Sequence, residues 1–258
     1  MKILFIGDIV GKPGRRVVKE RTADLAQRED IDLVIANCEN SAAGFGVTPP
    51  LADELLHAGI DVLTSGNHIW DKREIISYLD SEPRILRPAN YPAGAAGHGV
   101  YVGTTARGVR YAVLNLQGRV YLPYIDCPFR KADALLQSIE PEVKVRVVDF
   151  HAEVTSEKIA FGWYFDGRVA AVIGTHTHVP TADERVLPQG TAYLTDVGMT
   201  GPYNSVIGME KEVSIARFLS ALPGRFEPAR GDVRFSSAII DVDESSGTAR
   251  SIERRVLR

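Results

Sequence analysis

Short runs of apolar and β-branched residues recur along the chain, each closed by a polar cluster and followed by a longer stretch with its apolar positions on one helical face. This alternation is the βαβ rhythm of an α/β fold. The first run is Lys2 to Gly7, with Asp8 at its end, and Gly11-Lys12-Pro13 then leads into a helix carrying Val17, Val18 and Leu25 on one face. A second run, Asp32 to Cys38, closes in Glu39-Asn40 and a glycine-containing loop. Thr48-Pro49-Pro50 predicts the next helix start, with Thr48 as N-cap and Pro49 at the first helical position. The third run, Ile60 to Ser65, ends in Gly66-Asn67-His68, and the spacing of Ile75, Ile76 and Leu79 predicts a helix over Asp71 to Leu79.

From Val100 the rhythm changes. Val100 to Thr104 and Val109 to Leu116, joined by Ala106-Arg107-Gly108, predict a hairpin and with it an antiparallel middle of the sheet. A helix near Arg130 to Ile139 precedes a strand from Val143 to Phe150 that ends in His151. A helix over Thr155 to Phe165 and a strand over Val169 to Ile173 follow, the strand leading into Gly174-Thr175-His176-Thr177-His178. Runs at Ala192 to Thr195, Val213 to Phe218, Val233 to Val242 and Thr248 to Val256 make the last third mostly β. With no repeat and no linker rich in Pro, Gly or Ser, residues 1–258 read as one domain of two packed sheets with flanking helices.

Composition narrows the function. Hydrophobic residues at 45% and charged residues at 24% exclude a disordered or fibrous chain. A net charge of -3 excludes a generally basic nucleic-acid binder but not a local patch, and no basic stripe stands out along the chain. Cys38 and Cys127 form no C-x-x-C, which leaves neither a disulfide framework nor a zinc ribbon, and Cys38 reads as a small buried hydrophobe. No apolar run approaches the roughly 18 residues of a membrane span, so the expectation is a soluble cytoplasmic protein.

Chemistry concentrates where the predicted strands end. Of six histidines, His68, His151, His176 and His178 follow a predicted strand, as do Asp8, Glu39-Asn40 and Asn67, whereas His57 and His98 fall in an ordinary helix and loop. In α/β sheets the carboxyl ends of the strands face the ligand crevice, so these residues come to one rim. Taken singly each has a plain structural explanation: an Asp after a first strand is common, Gly66-Asn67-His68 can be a turn, and His151 can be a buried, hydrogen-bonded core residue. Their joint occurrence has a single economical one, a metal site.

His176 and His178, one residue apart in an extended segment, would point the same way about 6 to 7 Å apart. Two ions about 3.5 to 4 Å apart could each take one, with a carboxylate from an early strand between them. Such a pocket is net positive and favours an anionic substrate. Donors of mixed N and O type without thiolates suit iron or manganese, and less specifically zinc or nickel.

Gly66-Asn67-His68, the single His151 and Gly174-Thr175-His176-Thr177-His178 resemble the third, fourth and fifth motifs of the calcineurin-like metallophosphoesterases. The resemblance extends to the YmdB-like branch of bacterial 2′,3′-cyclic-nucleotide 2′-phosphodiesterases. It is carried by Gly7-Asp8-Ile9-Val10-Gly11, Asn37-Cys38-Glu39-Asn40, Gly66-Asn67-His68-Ile69-Trp70-Asp71, Asp149-Phe150-His151-Ala152-Glu153 and Asp196-Val197-Gly198-Met199-Thr200-Gly201-Pro202. Val10 stands where most of the superfamily has a histidine, and Glu39 where it has a bridging Asp; both departures are shared with the branch, and Asn40 is the substitute for the missing histidine.

The resemblance implies a four-layer α/β/β/α sandwich. It also implies one metal held by Asp8, Glu39, Asn40 and His178, a second by Glu39, Asn67, His151 and His176 with Glu39 bridging, and His68 as general acid. A metal-bridging hydroxide would then open a 2′,3′-cyclic nucleotide to its 3′-monophosphate. The alternatives are a phosphomonoesterase with the same metals and a metal-stabilised nucleotide- or RNA-binding regulator. The expected partner is a small-molecule phosphodiester, with no membrane association and no stable nucleic-acid complex; homo-oligomerisation is left open. Ser41 to Gly46, Asn115 to Arg119 and Gly198 to Ser205 read as rim loops near the metals.

Overall fold

A computed structural model describes residues 1–258. Its elements are β1 (Lys2–Ile6), β2 (Asp8–Ile9), α1 (Gly11–Glu29), β3 (Leu33–Asn37), α2 (Pro49–His57), β4 (Val62–Thr64), α3 (Ile75–Leu79), β5 (Val100–Thr104) and β6 (Arg110–Gln117). There follow α4 (Pro128–Ser138), β7 (Val145–His151), α5 (Thr155–Tyr164), β8 (Ala171–Thr175), β9 (Arg185–Val186), β10 (Ala192–Leu194), β11 (Met199–Pro202), α6 (Lys211–Ser220), β12 (Val233–Val242) and β13 (Ala249–Leu257).

Two mixed sheets stack face to face. The first has the order β2-β11-β12-β1-β3-β4 with β13 on β12, and the second β5-β6-β7-β8-β10-β9. Side-chain alternation explains the stacking: Ile3, Phe5, Leu33 and Ile35 of the first sheet meet Val113, Val145, Val147 and Ile173 of the second in one buried cluster. The alternate residues Leu4, Ile6, Val34 and Ala36 pack under α1 and α2. On the far side Leu114, Leu116, Val148 and Phe150 pack with Ala132 and Leu136 of α4 and Phe161 of α5. Strands buried on both faces need unbroken apolar runs, which is why the sequence shows them. The result is the expected α/β/β/α layering. No helix is long and apolar enough to cross a membrane.

Three local expectations need correction. The hairpin β5-β6 is antiparallel but lies at the edge; β6, β7, β8 and β10 are mutually parallel, so the middle of that sheet is not antiparallel. The run Val213 to Phe218 is helical, within α6. Its apolar residues do not alternate strictly, and Glu212 in the first turn with Arg217 in the last suits a helix dipole. The helix expected over Asp71 to Leu79 is confined to Ile75–Leu79, because the preceding residues form turns closed by Ile69 N–H to Gly66 O and Asp71 N–H to His68 O. The expected start of α2 holds, with Thr48 as N-cap in an extended conformation and Pro49 as the first helical residue, although the Thr48 side chain makes no capping bond.

Candidate metal centre

Parallel pairing of β1, β3 and β4 in one sheet, and of β7 and β8 in the other, brings their carboxyl ends to one rim. Glu39 and Asn40 follow β3, Asn67 and His68 follow β4, His151 is the last residue of β7, and His176 follows β8 directly. Asp8 lies in β2, paired to β11, and not in a loop beyond β1. Asp8, Glu39, Asn40, His151 and His178 are all buried.

One cluster centres on His151. Its Nε2 lies 2.9 Å from Glu39 Oε1, 3.1 Å from Asn67 Oδ1 and 3.0 Å from His176 Nδ1. Ligand atoms of Glu39, His151 and His176 all lie within 4.8 Å of one another. Gly66 permits this closeness, since a Cβ there would come within 2.0 Å of the His151 ring.

Counting protons shows what the cluster lacks. The Thr175 hydroxyl donates to Asp149 Oδ1 at 2.7 Å, so it must accept from His151 Nδ1–H at 2.9 Å. This leaves the Nε2 lone pair of the neutral ring turned toward the cluster. His176 Nε2 lies 3.0 Å from the Glu153 carboxylate, which requires a proton there and frees Nδ1. With His151 neutral, nitrogen lone pairs, a carboxylate oxygen and an amide oxygen therefore converge, and the proton that Glu39 and Asp8 favour on His151 is the one an arriving cation would displace. A cation satisfies all of them at once.

The electrostatics agree. Burial pushes the His176 imidazole down to about 2 and lowers that of His178, so both rings are held in the neutral, metal-binding form. Burial raises Glu39, but the His151 charge and the hydrogen bonds of His151 and His68 outweigh it and bring the carboxyl down to about 2. Asp8 accepts the His176 N–H through Oδ2 at 3.3 Å, while its buried Oδ1 has no partner. Burial holds this carboxyl well above its ordinary range. An orphaned buried carboxylate oxygen beside this cluster is what a cation site leaves when only protein atoms are considered. The residues fit metal.

A second grouping lies alongside. His178 Nε2 is 3.3 Å from Asn40 Oδ1, and the His178 Nδ1–H donates to the Ile207 carbonyl at 2.8 Å. Asn40 is oriented by its own amide, which donates to Gly44 O at 2.9 Å. The His176–His178 segment is not extended as expected. Both residues have positive φ, 98° and 65°, which turns their rings to different partners.

His68 contacts the cluster by its backbone alone, its N–H donating to Glu39 Oε2 at 2.9 Å. Its ring meets Phe45 edge-on at 5.2 Å, and Nδ1 lies 2.8 Å from Asp71 Oδ2. Together with Glu39, His176 and His178 it lines a cavity of about 850 Å³ whose apolar walls include Phe45, Met209, Phe218 and Phe226. His57 and His98 are exposed, and Cys38 is fully buried with its thiol pushed up by that burial.

Of the expected rim loops, Gly44 and Phe45 line the cavity. Asn115 instead braces the turn before Asn67, bonding both backbone groups of Ser65, and residues 199–202 form β11.

Several supporting residues do not stand out in the sequence. Asp149 accepts from Thr64, Thr175 and Asn37, although burial still pushes its carboxyl up to about 6. A signal for it exists: a carboxylate two residues before His151 in a strand shares its face. Lys158 of α5 donates to Asp196 Oδ2 at 2.6 Å and to Thr175 O at 2.7 Å, both side chains being buried. Asp196 also accepts from the Thr177 amide and hydroxyl, so this pair fixes the loop that carries His176 and His178. A lysine in an amphipathic helix gives no such signal.

The family model described as YmdB-like protein matches residues 4–255. A 2′,3′-cyclic-nucleotide 2′-phosphodiesterase of Bacillus subtilis (strain 168) is 51% identical over 98% of this chain and 96% of its own length. A crystal structure of a hypothetical protein from Thermus thermophilus superposes with a TM-score of 0.93 at 42% identity, covering 99% of this chain and 98% of that one. Another, described as a novel phosphatase from Mycoplasma pneumoniae, gives 0.93 at 35% identity, covering 100% and 93%.

Proposed function

The chain belongs to the YmdB-like protein family, and we propose that it is a metal-dependent phosphodiesterase that opens 2′,3′-cyclic nucleotides to 3′-monophosphates. The observation that carries this reading is the set of lone pairs converging from Glu39, Asn67, His151 and His176, in a chain 51% identical to an enzyme of that name.

Asp8, Glu39, Asn40 and His178 would hold one ion and Glu39, Asn67, His151 and His176 the other, with iron or manganese suited to the donors and zinc or nickel next. When bound, such ions supply Lewis-acid stabilisation of phosphate charge and a water nucleophile at neutral pH.

The chain's own residues supply the rest. Asp71 orients His68 through Nδ1, leaving Nε2 as the nitrogen that gives its proton to the departing 2′ oxygen. The cavity is large enough for a nucleotide, and Phe45, Phe218 and Phe226 give its wall aromatic surface against which a base could pack. Residues from Asp8 to His178 on both sheets build the site, which supports reading residues 1–258 as one catalytic unit. Nucleotide chemistry suits a cytoplasmic enzyme.

Product chromatography on metal-quantified protein tests the assignment. 2′,3′-Cyclic AMP should yield mainly 3′-AMP, and mainly 2′-AMP would overturn it. The description of the Mycoplasma pneumoniae structure as a phosphatase favours a second reading, a monoesterase, for which rapid release of inorganic phosphate is the signature.

A further inference from the structure

A second cavity, of about 900 Å³, shares a ridge with the cavity at the metal centre. The ridge is built by residues 226–229, which pair with 208–210 through Glu210 N–H to Glu227 O and Ala229 N–H to Gly208 O. Phe226 lines both cavities. The loop after Glu39-Asn40 also runs between them, Ala42 and Ala43 facing one side and Gly44 and Phe45 the other.

This second groove is strongly basic although the whole chain carries -3. Lys12, Arg15, Arg16, Lys72, Arg225 and Arg230 line it against the single acid Glu227. Arg15 is committed to the fold, bonding Ser41 O and facing Glu54. Arg16 faces Glu20, and Arg225 has Glu227 at 3.4 Å with 89% of its side chain exposed. The side chains of Lys12, Lys72 and Arg230 take no part in the ion pairs or hydrogen bonds of the fold. Unpaired cations gathered from three distant segments around one groove are the electrostatic footprint of a polyanion. Because they come from residues 12–16, 72 and 225–230, they form no stripe along the sequence.

Resting on the phosphodiesterase reading above, we infer that the groove binds the phosphates of an oligoribonucleotide whose 3′ end is a 2′,3′-cyclic phosphate. Ring opening uses only the terminal ribose: water adds to phosphorus, the P–O2′ bond breaks and the 2′ oxygen takes a proton. The 5′ oxygen of that nucleotide is untouched, so it can carry further nucleotides over the ridge into the groove. The product is RNA ending in a 3′-phosphate and a free 2′-hydroxyl. RNA is then a transient substrate, consistent with the absence of a basic stripe.

The test compares 2′,3′-cyclic AMP with a pentaadenylate ending in a 2′,3′-cyclic phosphate. The oligomer should have a kcat/KM about tenfold higher at low salt, falling with a log–log salt slope near −2 for about three phosphate contacts. In K12E/R225E/R230E that advantage should vanish, while 2′,3′-cyclic AMP turnover stays within about twofold. Equal kcat/KM for the two substrates, or an advantage that survives the charge reversal, overturns the inference. Fluorescence anisotropy of a labelled pentaadenylate 3′-phosphate reads the groove without catalysis: binding lost in the variant supports it, and no binding by the native protein overturns it. Failure to open 2′,3′-cyclic AMP would instead count against the reaction itself, and anisotropy would still decide the groove.

Discussion

Glu39 Oε1 stands 2.9 Å from His151 Nε2, while the other oxygen of the same carboxylate accepts the His68 N–H. One side chain thus joins the end of β3 in the first sheet to the end of β7 in the second and to the turn that carries the proposed acid. A carboxylate so placed suits the shared-ligand role proposed for Glu39, and Glu39→Gln would remove its charge from both positions. Elemental analysis of protein purified without chelator should find close to two equivalents of metal, with both weakened in Glu39→Gln. At most one equivalent, unchanged after reconstitution with manganese and iron, would remove the dinuclear model.

Metal uptake should release protons. In the metal-free chain burial holds Asp8 above its ordinary pKa, and the charges of Glu39 and Asp8, outweighing burial, raise His151. A raised pKa means a proton is bound at pH values where the free side chain has lost it, and an arriving cation displaces it. Apparent affinity should therefore rise with pH through the raised ranges of Asp8 and His151, the latter lying above that of a free imidazole, with His176 and His178 contributing little because burial already keeps them neutral. Titration calorimetry in buffers of different ionisation enthalpy checks the sign; proton uptake would contradict it.

Adjacent residues should separate by role. Asn67 points its amide oxygen at the His151 cluster, so Asn67→Ala should lose metal and activity together. His68 turns its ring to Asp71 and the cavity, so His68→Ala should keep its metal while kcat falls about 10²- to 10⁴-fold. The fall should shrink for a p-nitrophenyl ester, whose leaving group needs no proton. Equal losses on both substrates would take the acid role from His68.

What the sequence discloses about this site, and what it conceals, follows from where each residue's partners lie. Asp8, Glu39, Asn67, His151 and His176 follow or end apolar strands, so strand periodicity alone carries them to one rim. Asp149 is equally readable by its period of two from His151, but its role depends on Thr64 and Thr175 meeting it across two sheets. The turn of His176 and His178 into positive φ goes with the long-range Asp196 bonds to Thr177 between them, which no local propensity encodes. Helix α6 reads as a strand from its run of β-branched and aromatic residues, yet in the structure its apolar residues are largely exposed, Phe218 at 87%, and only Ser214 is buried. Ile215, Phe218 and Leu219 nevertheless stand at i, i+3 and i+4, so the helical period is present in the sequence beside the strand reading.

The Lys158–Asp196 pair gives a prediction about stability as well as the site. Both side chains are 1% exposed, and Lys158 reaches its partner from α5 while also bonding the carbonyl of Thr175, the residue before His176. Replacing the lysine by methionine keeps most of the volume but strands a buried carboxylate, which costs about 3–5 kcal/mol. Removing both charges, in K158M/D196N, should recover part of that loss, because no uncompensated charge is left. Urea unfolding of the single and double variants measures the difference. Metal content provides the second readout: since Asp196 holds the Thr177 backbone between the two histidines, K158M should bind metal more weakly even where it remains folded. A K158M protein of native stability and native metal affinity would show that the pair neither supports the fold nor positions the His176–His178 loop.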